Sequence, residues 1–258
     1  MKHFILLLIV LVCLPAHAED PAIAQLFANH GLTGTMVISS LNTGQTFIHN
    51  EARARQRFSP ASTFKIPNTL IALETKAIQG KDDVLKWNGQ HYNFPDWNHD
   101  QTLESAFKVS CVWCYQQMAR RVGAKNYSKY LSKMDYGKLT QPFEVTTFWL
   151  DGSLQISAIE QIDFLKKVYR RTLPFSQTSF DTLRQIMLME ETPNHKLWAK
   201  TGWAARTNPQ VGWYVGYVET AKEVFFFALN IEVHNENELP LRQKLAREAL
   251  QQKGIIEP

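Results

Sequence analysis

Hydrophobic and polar positions follow two different rhythms along this chain, and the change of rhythm outlines its architecture. Near the start, Gly34-Thr-Met-Val-Ile-Ser-Ser-Leu41 and Gln45-Thr-Phe-Ile-His49 are rich in β-branched residues and flank Asn42-Thr43-Gly44. Two such runs around a glycine-containing turn predict a β-hairpin. From Ser62 to about Glu191 the spacing becomes helical. Residues 69–77 continue a helix, and residues 117–122 place apolar side chains on one helical face. Ser157 and Glu160 have the spacing of a capping box, with Ile159, Ile162, Leu165 and Val168 following at steps of three. Residues 88–100, rich in Trp, Asn, His and Pro, read as a loop. After Leu197 the strand rhythm returns over residues 210–219 and 223–232, joined at Thr220-Ala221-Lys222. These runs are too apolar to leave one sheet face wet, so helices are expected to cover the sheet. Leu241, Leu245, Ala249 and Leu250, with Pro240 near the start, predict a final helix over residues 239–252.

Strands at both ends with helices between them predict an α+β fold. An antiparallel sheet is built from both termini and flanked by helices, with an all-helical insertion lobe. The sheet lobe is expected over residues 19–60 and 192–258, and the helical lobe over residues 61–191. The cleft between lobes is the natural place for a site.

The 258 residues, 45% of them hydrophobic, suffice for substantial cores without metals or disulfides. A net charge of +4 is mild. The short basic clusters (Arg53, Arg55, Arg57; Arg120, Arg121; Arg170, Arg171) read as solvated surface, and no nucleic-acid partner is expected. Lys2 and His3 precede an apolar run from Phe4 to Leu14, which Pro15 breaks before Ala16-His17-Ala18. That pattern predicts a cleaved export signal over residues 1–18, too short to span a bilayer. The mature chain is expected to be secreted or periplasmic, with no membrane attachment, as a monomer or homodimer. Cys13 follows bulky Val12 where a lipoprotein anchor wants a small residue. Cys111 and Cys114 lie in an apolar stretch and read as buried thiols or a local disulfide, without redox catalysis. The eight histidines are dispersed, so no metal is expected.

The candidate chemistry centres on Phe58-Ser-Pro-Ala-Ser62-Thr-Phe-Lys65-Ile-Pro-Asn68. Ser and Lys three apart on a helix share a face, so the amine can reach the hydroxyl. Ser59 and Pro60 read as helix entry, which puts Ser62 in the first turn, where the dipole favours an anionic oxygen. Ser-x-x-Lys alone recurs about once by chance in a chain of this size, and Ser105-Ala-Phe-Lys108 is a second match. What singles out Ser62 is the company of Ser110-Cys111-Val112 and Lys200-Thr201-Gly202. The small Gly202 is expected to let a substrate approach the backbone. Ser62, Lys65, Ser110, Lys200 and Thr201 supply a nucleophile, a base, a proton relay and a cationic anchor from three separate segments. The second match crowds Ser105, Lys108 and Ser110 into one.

With Pro60-Ala-Ser-Thr-Phe-Lys-Ile66, Ser110-Cys-Val112, Tyr136-Gly137, Trp149-Leu150, Lys200-Thr-Gly202 and Gly212-Trp-Tyr-Val-Gly216 in this order, the chain resembles the penicillin-recognising serine enzymes, and within them the class D β-lactamases. The resemblance covers essentially the whole mature chain. Lys138 stands where the family usually has Asn. The resemblance implies a β-lactamase/transpeptidase-like fold and hydrolysis of penicillin-type β-lactams through a serine acyl-enzyme, conferring resistance. It implies that CO₂ or bicarbonate carboxylates Lys65, and that this carbamate is the general base for acylation and deacylation. No other cofactor is implied. Only a neutral amine attacks CO₂, and Phe64, Val112 and Leu150 are expected to form the dry pocket that disfavours the ammonium. A drop of about three pKa units costs the charged form roughly 4 kcal/mol. By the same resemblance Trp149 donates its indole N–H to the carbamate, and the backbone N–H groups of Ser62 and Trp203 form the oxyanion hole. Ser110 shuttles the proton to the leaving nitrogen, while Lys200, Thr201, Gly202 and Arg242 bind the substrate carboxylate. A class A enzyme would show Ser-Asp-Asn rather than Ser110-Cys-Val112. A β-lactam sensor would carry membrane spans, and a transpeptidase usually carries extra domains or an anchor.

Overall fold

The computed structural model describes residues 18–257. The expected export signal lies, apart from Ala18, outside these residues. Among the described residues no helix is long and apolar enough to cross a membrane.

Six strands form one antiparallel sheet in the order β2-β1-β10-β9-β8-β7. The hairpin of β1 (Gly34–Ser40) and β2 (Thr46–His49) turns through residues 41–45. β9 (Val211–Thr220) and β10 (Val224–Glu232) begin and end within a residue of the runs that predict them. β8 (His195–Ala204) pairs with β9 along its whole length, and β7 (Leu188–Glu191) closes the edge. The chain therefore rejoins the sheet at residue 188, ahead of the expected 192. A four-residue edge strand following directly on a helix leaves no period-two signal of its own.

Strand alternation sends neighbouring side chains into opposite cores. Phe226, Ala228, Trp213 and Val215 face one core; Phe227, Leu229, Ile231 and Tyr214 face the other. The second core is closed by α1 (Pro21–Asn29) and α9 (Leu241–Gln252), helices from the two ends of the chain. Each buried Leu, Ile or Phe contributes roughly 1.5–3 kcal/mol, so covering both faces is a major source of stability.

The first core is shared with the helical lobe. After α2 (Glu51–Arg55) and a 3-10 turn (Ala61–Phe64), the lobe contains α3 (Lys65–Glu74), α4 (Leu103–Lys108), α5 (Val112–Val122), α6 (Ala124–Met134), α7 (Ala158–Tyr169) and α8 (Gln177–Met187). α7 starts at the predicted capping box, with Ser157 Oγ accepting from Glu160 N at 3.2 Å and Glu160 Oε2 from Ser157 N at 2.8 Å. The lobe is not all helical. It holds two short antiparallel pairs, β3 (Val84–Leu85) with β4 (Gln101–Thr102) and β5 (Lys138–Leu139) with β6 (Leu154–Gln155). Two-residue strands are shorter than any alternation a sequence can display. Cys111 and Cys114 are joined by a disulfide, which decides between the two states open to them in the sequence.

Candidate active site

The residue pattern brings three segments to one seam between the lobes. The first is the turn before α3. Ser59 Oγ donates to the Trp149 carbonyl at 2.8 Å, and Ala61 N donates to the same oxygen at 3.0 Å. Trp213 Nε1 holds the Ser59 carbonyl at 2.9 Å. Ala61 adopts φ +47°, a left-handed conformation that a non-glycine residue holds only when its surroundings over-determine it. This bracing fixes where the helix starts. Ser62, half-buried, therefore sits in the 3-10 turn that leads into α3 rather than in the first turn of that helix, and Lys65, the first residue of α3, follows three residues on with Nζ donating to Ser62 Oγ at 3.1 Å.

Lys65 is 1% exposed. Among the described residues no carboxylate pairs with it, and its nitrogen lies 4.7 Å from the centre of the Tyr115 ring. Burial, and then the charge of Lys200, hold its pKa well below the usual lysine range. A desolvated cation–π contact returns about 2 kcal/mol, against several for taking an ion out of water, so burial wins. Phe64 and Leu150 are buried in the same core, with Val112 packed against it at the start of α5. Trp149 is buried, stacked on Phe64 at 5.7 Å, and its indole N–H has no protein acceptor among the described residues.

The second segment is the corner between α4 and α5. Ser110 adopts φ +57° there, and its Oγ accepts from Lys200 Nζ at 2.5 Å. The third segment is the middle of β8. Lys200 is 5% exposed, and Nζ also reaches the Thr201 carbonyl at 3.1 Å and Oγ1 at 3.3 Å. Burial, then the positive charges of Arg242 and Lys108, lower its pKa to about 7. Arg242, on α9, is no surface charge: Nη1 donates to the Gly202 carbonyl at 2.6 Å and Nε to the Leu239 carbonyl at 2.5 Å. Burial lowers its pKa to about 10.

The room that the absent side chain of Gly202 leaves is taken up by the turn before α3. A Cβ there would lie 2.9 Å from the Pro60 carbonyl and 3.1 Å from Thr63 Cγ2. The glycine lets β8 pack against the turn bearing Ser62. The second Ser-x-x-Lys has a structural explanation. Ser105 Oγ closes a capping box with Thr102, and Lys108 Nζ donates to the Leu188 carbonyl, so the two do not bond each other.

Residues 34–251 match the penicillin binding protein transpeptidase domain. The chain is 43% identical over 230 residues to β-lactamase OXA-48 of Klebsiella pneumoniae, covering 89% of this chain and 87% of that protein. It is 41% identical over 235 residues to OXA-20 of Pseudomonas aeruginosa, covering 90% and 87%. Among solved structures, the class D β-lactamase YbXI from Nostoc superposes with a TM-score of 0.89 at 41% identity, over 91% of this chain and 99% of that one. The class D β-lactamase FUS-1 (OXA-85) of Fusobacterium nucleatum subsp. polymorphum gives 0.90 at 33% identity, over 93% and 100%. The chain belongs to the class D β-lactamases.

In this class D β-lactamase Tyr115, which no motif singles out, turns its ring to Lys65 and holds its hydroxyl 2.8 Å from Thr69 Oγ1. Its helical spacing makes it look like any other core aromatic of α5. Thr69, one turn beyond Lys65 on α3, gave a hint, since a buried hydroxyl on that helix needs a partner. Lys138 is exposed on β5 and pairs with Gln155.

Proposed function

We propose that this enzyme, exported from the cell, hydrolyses the β-lactam amide of penicillin-type antibiotics and so confers resistance. Ser62 is the nucleophile, and a carbamate on Lys65 is the base. The observation that carries this reading is the Lys65 amine, buried without a carboxylate partner among the described residues and 3.1 Å from Ser62 Oγ. A neutral amine there attacks CO₂ and releases a proton, leaving a carbamate anion. The Trp149 indole N–H, without a protein acceptor among the described residues, suits that anion, since an indole can only donate.

In acylation the carbamate takes the Ser62 proton as Oγ attacks the lactam carbonyl. The backbone N–H groups of Ser62 and Trp203 hold the oxyanion. Ser110 passes its hydroxyl proton to the leaving nitrogen and is replenished from Lys200, which donates to it at 2.5 Å. The proton held by the carbamate restores Lys200, so one proton moves in net from Ser62 to nitrogen. In deacylation the carbamate takes a proton from water, the resulting hydroxide attacks the ester carbonyl, and Ser62 recovers a proton. Lys200, Thr201 and Arg242 anchor the substrate carboxylate, and Gly202 supports them through its carbonyl, which accepts from Arg242 Nη1.

Turnover of a penicillin or of nitrocefin tests the reading. Many turnovers per enzyme, falling at acidic pH and recovering with bicarbonate, are expected. A single stoichiometric acylation without recycling would instead mark a sensor or a transpeptidase.

A further inference from the structure

We propose that the Cys111–Cys114 disulfide is a positioning device for the catalytic groups beside it, so that the redox state of this pair sets the turnover rate. The inference rests on the function proposed above. The bond sits where two roles meet. Cys111 directly follows Ser110 and caps α5, with Cys114 N donating to its sulfur at 3.2 Å. Val112, packed against the core that holds Phe64 and Tyr115, lies inside the loop that the bond closes.

Three observations favour a local role over a global staple. First, the sulfurs are only three residues apart, and short loops gain least from cross-linking the unfolded chain. Second, the backbone they constrain is unusual: Ser110 is held at φ +57° while its hydroxyl meets Lys200. The same corner has a second brace, in which Trp97 Nε1 donates to the Val109 carbonyl at 3.0 Å and Trp113 Nε1 to the Trp97 carbonyl at 2.9 Å. Third, both cysteines are completely buried. Two separate thiols need more room than two bonded sulfurs, and a close-packed site yields that room only by moving backbone. The backbone next to those sulfurs carries Ser110, directly before Cys111, and Val112, inside the loop.

The bond forms by exchange with an external disulfide RSSR. One cysteine thiolate attacks a sulfur of RSSR and expels RS⁻. The second thiolate then attacks the mixed disulfide and expels another. The two cysteines are oxidised, RSSR is reduced to two RSH, and the cysteine protons end on the released thiolates. Because the sulfurs are buried in the folded chain, exchange belongs to folding in an oxidising compartment or to a transient opening of the corner.

Purified protein is denatured and alkylated, and mass spectrometry counts labelled cysteines with and without prior reduction. Wild-type protein folded with glutathione disulfide is compared with protein folded in dithiothreitol and with the Cys111→Ala/Cys114→Ala variant. Steady-state penicillin hydrolysis is followed with and without bicarbonate. The oxidised protein is expected to label at neither Cys111 nor Cys114 and the reduced protein at both. Reduction is expected to lower kcat about tenfold through misplacement of Ser110, with KM nearly unchanged. It is also expected to raise the bicarbonate needed for half-maximal rate, which a purely structural bond would not do. The double variant should ignore dithiothreitol. Free thiols at both positions in protein folded with glutathione disulfide would overturn the proposal. So would equal kcat and equal bicarbonate response in the two redox forms, or reduced protein that fails to fold at all. If the oxidised wild type itself does not turn over, it is the proposed function that fails.

Discussion

At the residue scale the site depends on cations kept where water would not leave them. Lys200, with its pKa lowered to about 7, carries the clearest energetic signature. Its folded pKa lies below that of the unfolded chain, near 10.5, so between about pH 7 and pH 10.5 the unfolded state binds more protons. Stability from this group therefore rises with pH across that window, and the penalty is full below about pH 7. Lys200→Met should raise the thermal midpoint at pH 6 by more than at pH 9 and abolish most activity; thermal melts at the two pH values check it. Lys65 is shifted in the same direction, which favours the free amine, the only form of a lysine that attacks CO₂. Lys65→Ala should still acylate slowly but accumulate acyl-enzyme, visible as a persistent mass adduct; full turnover by this variant would contradict the assignment. Arg242→Lys keeps the charge but loses the planar fork, so KM for penicillins should rise about tenfold with a smaller change in kcat.

At the element scale the working parts are the starts of helices and the middle of one strand. The turn before α3 is fixed by Ser59, Trp149 and Trp213, and β8 fits against it because residue 202 has no side chain. Gly202→Ala should displace that turn, since its Cβ would meet a backbone carbonyl at 2.9 Å. The expected result is a loss of kcat about tenfold or more with the protein still folded, measured by turnover alongside circular dichroism. The cap of α7 gives the contrasting case. Ser157→Ala removes the acceptor for Glu160 N and should cost about 1 kcal/mol in urea unfolding while leaving penicillin turnover unchanged.

At the scale of the whole molecule, what was legible follows from how far each signal reaches along the chain. β9, β10, α7 and α9 announce themselves because their periodicity runs for nine residues or more. The pairs β3–β4 and β5–β6 do not, since two residues carry no period. Ser62, Lys65, Ser110 and Lys200 were legible as motifs, and the fold joins them through two side-chain hydrogen bonds. The setting of Lys65 was only half legible. Phe64, Val112 and Leu150 stand beside motif residues, whereas Tyr115 reaches the amine only because α5 packs on α3. The second core likewise brings α9 from the chain's end to deliver Arg242 behind Gly202, a contact spanning forty residues of sequence that no local pattern encodes.

The central claim is that the buried Lys65 amine captures CO₂ and then serves as base. Carbon-13 NMR of the enzyme in ¹³C-bicarbonate tests it most directly. The account predicts one protein-bound carbamate resonance that is absent in Lys65→Ala and disappears on acidification in step with kcat. Undiminished turnover in CO₂-free buffer, with no carbamate resonance, would contradict it.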